Sequence, residues 1–155
     1  VVDPDGIEGG GEEAGLGLLD VRTEMAPEKE RRLTAAAARE SPHRAGEVAE
    51  PRQVEGYEIH HGRTEAGPDA RPWLYAEDRV LGHASGSVWG CYLHGVFSND
   101  GLRADWLDAC GAMWGGHSWQ GTVDRELDRL ADVIADSIDV TRLFESALGR
   151  SEAHV

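Results

Sequence analysis

The chain has 155 residues, enough for one domain with a real core, and 40% apolar with 28% charged residues is the composition of a globular protein. A formal net charge of −14 argues against nucleic acid or an anionic membrane surface as partner, because both call for basic patches. Two cysteines give no disulfide framework and fit a reducing cytoplasm, no signal peptide is recognised, and no apolar run reaches the ~20 residues that span a bilayer.

Val1-Val2-Asp3-Pro4-Asp5-Gly6 opens without a methionine and reads as mid-fold sequence, so the chain is expected to be a fragment of a longer protein. Residues 3–15 are turn formers and acidic loop. Residues 15–25 read as a turn into a strand that Pro27 ends. Glu28 to Glu40 has helix-forming composition without a clean apolar face, so it reads either as a helix or as a strand and loop. Val54 to His60 is a second strand, running into His61-Gly62-Arg63-Thr64, and residues 65–72 are a surface loop. Trp73-Leu74-Tyr75 and Val80-Leu81 flank a turn at Ala76-Glu77-Asp78.

Gly86 to Phe97 follows, with bulk at both alternating sets of positions, which suits a strand buried on both faces of a parallel sheet. It delivers His94 at its end, where doubly wound sheets place their chemistry, and Gly95 lets the backbone turn sharply after it. Ser98-Asn99-Asp100 offers capping side chains to a helix on which Leu102, Trp106, Cys110 and Met113 recur, making Cys110 a core residue. Leu127, Leu130, Ile134 and Ile138 mark a second helix capped by Thr122 or Asp124. Asp139 caps a third, stopped by Gly149, and residues 150–155 are a frayed tail.

Two chemistries are weighed on this framework. His60 and His61 point to opposite faces of a strand and cannot share an ion, so no metal site is expected. Cys91 lies three residues before His94 and so on the opposite face, Cys110 is packed, and neither sits in a Gly-x-Cys-x-Gly elbow. Local pattern therefore leaves His94 as a base without a nucleophile, or as a structural histidine.

Gly56-Tyr57-Glu58-Ile59-His60-His61-Gly62-Arg63-Thr64, followed by Gly90-Cys91-Tyr92-Leu93-His94-Gly95-Val96-Phe97, closely resembles the C-terminal glutamine amidotransferase domain of the cobyric acid synthases. These are the cobyrinate type of the class I amidotransferases. Asp3 to Gly9, Gly15 to Leu19, Pro27 to Lys29, Asp128 to Ala131 and Ile138 to Val140 follow in the family's order, so the resemblance covers roughly residues 2–149. It implies an α/β, three-layer, flavodoxin-like domain over residues 1–149 whose N-terminal part is missing. It implies glutamine hydrolysis, with the ammonia passed to a synthetase domain for ATP-driven amidation of corrin side-chain carboxylates in cobalamin biosynthesis.

By motif match His94 is the family's base. The position two residues on, where the broader class has an orienting carboxylate, is Val96, in keeping with a Cys-His pair. Glu58, His60 and Arg63 match the other motif and are candidates for shaping the glutamine pocket or the ammonia route, Arg63 having the fork geometry for an α-carboxylate. For Glu58 and Arg63 a purely structural role stands equally. The resemblance puts the elbow cysteine, ATP and Mg²⁺ outside this chain, which would bind no cofactor itself and would be inactive alone. The alternatives are a sibling amidotransferase, either the a,c-diamide synthase or the cell-wall-precursor type, and a degenerate, non-catalytic binding domain.

Overall fold

The computed structural model describes residues 1–41 and 44–148, which fall into two compact units that part after Gly116. The first carries strands β1 (Val2–Asp3), β2 (Gly11–Glu12), β3 (Val21–Ser41), β4 (Arg44–Ala66), β5 (Arg71–Ala76), β6 (Arg79–Ser85), β7 (Val88–Cys91) and β8 (Leu93–His94). A 3₁₀ turn at Val96–Ser98 and helix α1 (Asp100–Ala109) complete it. With helices α2 (Trp119–Ser137) and α3 (Val140–Ala147) of the second unit, the described residues form a mixed sheet and three α-helices, an α/β protein.

The whole of 28–40 is strand. Thr34, Ala36, Ala38 and Glu40 are buried while the residues between them are half-buried or exposed. Period-two burial of small side chains against a partner strand overrides the helix propensity of the alanines. Pro27 does not end β3 either. Met25 faces Gly62 and Glu30 faces His60, so four residues of β3 bulge against the single His61 of β4. A proline cannot donate to the ladder, and a bulge is where an otherwise continuous strand accommodates it. His61 Nδ1 lies 3.1 Å from the Ala26 carbonyl oxygen inside that bulge.

The strand carrying the histidine also departs from expectation. It is broken at Tyr92 into β7, antiparallel to β6, and β8, antiparallel to β4. Val88, Trp89 and Gly90 are half-buried and Cys91 is exposed, so this is no doubly covered strand of a parallel sheet. Among the described strands only β1 and β3 pair in parallel, at Val2 and Glu24. Ladders run from β3 through β5 and β6 to β7, and the chain then crosses Tyr92 into β8, which pairs β4 beside β3. The sheet thus curls back on itself. Inside it lie Val54, Trp73, Leu74, Leu81, Leu93 and Leu102, and against this core pack Trp89 and Trp106, whose rings meet each other edge to face at 5.3 Å.

Helix α1 buries Leu102 and is tied to β4 by the two-pronged pair of Arg52 with Asp105, at 2.6 and 3.0 Å. Asn99 stands at its N-terminus but makes no cap; its amide bonds the Glu55 backbone instead, accepting from N–H and donating to C=O at 2.8 Å each. Cys110 is exposed rather than core, and Met113 is fully exposed, because the helix ends at Ala109 and Gly111 turns the chain at φ 73°. In the second unit Ser118, not Thr122 or Asp124, caps α2 by accepting from the Gly121 N–H, since the helix begins earlier than its apolar spacing indicates. Asp139 caps α3 as expected, accepting from the Arg142 N–H. Gly149 and the tail 150–155 lie outside the described residues.

Candidate active site

His94 closes β8 and is exposed, and Gly95 follows at φ 76°, a left-handed conformation that glycine adopts without strain. The register pairs His94 with Tyr57 and Leu93 with Glu58 across β8 and β4. Tyr57 and His94 therefore share a face, and their rings stack with centroids 4.9 Å apart and planes 10° from parallel. Together with Leu33, Ala35, Gly95 and Ser98 they line an open, largely apolar groove of about 520 Å³. Gly56 permits this close approach. A Cβ there would stand 2.3 Å from the His94 carbonyl oxygen and 2.8 Å from Leu93 Cγ.

Glu58 points the other way, into the interior, with no exposed surface. Its Oε1 accepts from Thr34 Oγ1 at 2.6 Å and from Arg79 at 2.9 Å, its Oε2 accepts from Arg79 at 3.1 Å, and Arg32 Nε stands 3.3 Å away. The forked bond from Arg79 is the main reason its carboxyl is held down to about 2, with Thr34 and His60 adding to it against the opposing effect of burial. His60 Nε2 lies 3.3 Å from Glu58 Oε2, its Nδ1 lies 2.9 Å from the Gly62 carbonyl oxygen, and its ring stacks on Tyr92 at 4.2 Å. The Tyr92 hydroxyl in turn bonds that of Thr64, which bonds Thr23 at 2.7 Å.

Of the four residues singled out in the sequence, Glu58 and His60 are thus brought together, behind the strand whose front carries the stacked His94. Arg63 is on the front face but six residues beyond Tyr57, up to roughly 20 Å along an extended strand. It borders a separate groove with Arg22 and four carboxylates, and its guanidinium, 79% exposed, reaches Glu28 at 3.9 Å. Cys91 is placed for neither nucleophile nor ligand: its thiol donates to the Leu93 carbonyl at 3.6 Å. Among the described residues no three His, Cys, Asp or Glu side chains converge as a metal ion would require.

Sequence reasoning missed Tyr57, Arg79, Arg32 and Thr34. A signal existed for one consequence: Glu58 shares its strand face with Val54, so the period-two pattern puts a charge on an apolar face and demands a cationic partner. Nothing local marks Arg79 as that partner.

The model of the CobB/CobQ-like glutamine amidotransferase domain matches residues 1–102. Cobyric acid synthase of Rhodobacter capsulatus is 45% identical over 150 residues, covering 95% of this chain and 30% of the relative. That of Paracoccus denitrificans is 47% identical over 148 residues, 94% of this chain and 28% of the relative. That of Brucella suis is 41% identical over 151 residues, with 95% and 29% covered. The chain spans about 30% of the length of these relatives.

Proposed function

Since the chain belongs to the CobB/CobQ-like glutamine amidotransferase family, we propose that it supplies the general base, His94, of a glutaminase site in a cobyric acid synthase. The supporting observation is the presentation of His94: an exposed imidazole at a strand end, followed by a left-handed glycine, in an open groove. In this reading a cysteine thiol from outside these residues gives its proton to His94. The resulting thiolate attacks the side-chain amide carbon of glutamine. As the C–N bond breaks, the imidazolium returns the proton to the departing nitrogen and ammonia leaves. Water then cleaves the thioester to glutamate and regenerates the thiol.

The ammonia would amidate corrin side-chain carboxylates, converting adenosylcobyrinic a,c-diamide to cobyric acid in the cytoplasm. ATP and Mg²⁺ would serve the carboxylate-activating step at residues outside this chain. Relatives that share the name cobyric acid synthase favour this over a sibling amidotransferase. Family membership supports placing residues 1–149 in a three-layer, flavodoxin-like domain. Glu58 acts here as an internal brace, because its oxygens are already occupied, and His60 extends that brace. Arg63 borders a groove separate from that of His94 and is 79% exposed, which supports reading it as a surface cation.

The test is glutamate release by the full-length protein. His94→Ala should lower it by about 10²-fold or more while amidation from free ammonia persists. A variant that releases glutamate at the parental rate overturns the assignment.

A further inference from the structure

We infer that Tyr57 is the positioning residue of His94, holding the imidazole by ring stacking in the role that a hydrogen-bonded carboxylate fills in a triad. The inference rests on His94 being the base. A base must keep one ring nitrogen aimed at the thiol and the leaving nitrogen, and in a Ser-His-Asp triad the carboxylate fixes that orientation. Among the described residues neither ring nitrogen of His94 has a hydrogen-bond partner, and Val96, two residues on, is apolar and packs against the core. What does meet the ring is Tyr57, directly opposite in register, 4.9 Å away and within 10° of parallel.

Stacking suits the task, because it restrains the plane of the imidazole while leaving both nitrogens open at its edge, where protons enter and leave. The stacked ring is itself well anchored. On one side Gly56 lets the backbone of β4 meet that of His94 without a side chain between them. On the other, Glu58 is fastened to Arg79 and Thr34 in the interior. The Tyr57 hydroxyl makes no hydrogen bond among the described residues, so the ring rather than the hydroxyl carries the contact.

The full-length protein with Tyr57→Leu and Tyr57→Phe separates these roles. Tyr57→Leu should lower kcat for glutamate release about tenfold, leave KM for glutamine within about twofold, and spare ammonia-dependent amidation, which reports an intact fold. Tyr57→Phe should stay within about twofold of the parent on every count. Parental kcat in Tyr57→Leu, a rise in KM without a fall in kcat, or equal damage from Phe and Leu would each overturn the inference. His94→Ala in the same assay keeps the two readings apart: an inactive His94→Ala beside a fully active Tyr57→Leu sinks the role of Tyr57 alone.

Discussion

Glu58 is a carboxylate with no exposed surface that stays charged because Arg79, Arg32 and the Thr34 hydroxyl converge on it. Its pKa in the fold, about 2, lies below the ordinary 4.5, so the group stabilises the fold above about pH 4.5, and that stability is lost as pH falls from there toward 2. At 1.36 kcal/mol per unit the shift amounts to roughly 3 kcal/mol, discounted to roughly 2 because Arg79 and Arg32 are each 42% exposed. Glu58→Gln should therefore lose about 2 kcal/mol at pH 7 in denaturant unfolding, and the gap to the parent should narrow by pH 3. A gap that does not change with pH would show that the charge is not what Glu58 contributes. Glu58 could be read from the sequence as a charge on an apolar strand face, but its partners could not, since Arg79 lies on β6, two strands further along.

Among the elements, the pairing of β4 with β8 carries the candidate site, and it depends on one missing side chain. Gly56→Ala would drive a Cβ into the His94 carbonyl oxygen and the Leu93 side chain, at 2.3 and 2.8 Å, and a backbone oxygen in a ladder cannot step aside cheaply. The expected result is a loss of about 1–3 kcal/mol in unfolding free energy, together with a fall in glutamate release as β8 shifts. Retained stability and activity would mean that β8 can move without consequence. The glycine was visible in the motif, but its reason was not: close approach follows from register, and register follows from which strands pair. Composition left residues 28–40 open between helix and strand, and register decides for the strand, where Ala36 and Ala38 offer a small, flat face to the core of the sheet.

Across the whole molecule, 29 acidic residues against 15 basic ones impose self-repulsion on the fold. Raising ionic strength from about 0.01 to 0.15 M shortens the screening length from about 30 to 8 Å, and should raise Tm by a few degrees. A Tm that falls with salt would mean that attractive pairs such as Arg52–Asp105 outweigh the repulsion. The amino-acid sequence by itself determined the family, the strand through Val54 to His60, the turn at Ala76-Glu77-Asp78 and the Asp139 cap. Each of these is written in a contiguous run of residues whose local chemistry admits few alternatives. Only the tertiary structure decided that the histidine strand is split and antiparallel, that Cys110 is exposed, that Glu58 faces away from His94, and that Tyr57 lies flat on the imidazole. Cys110 is exposed because α1 stops at Ala109; the other outcomes depend on which distant strands pair and in what register, and a one-residue change of register would put every side chain on the other face.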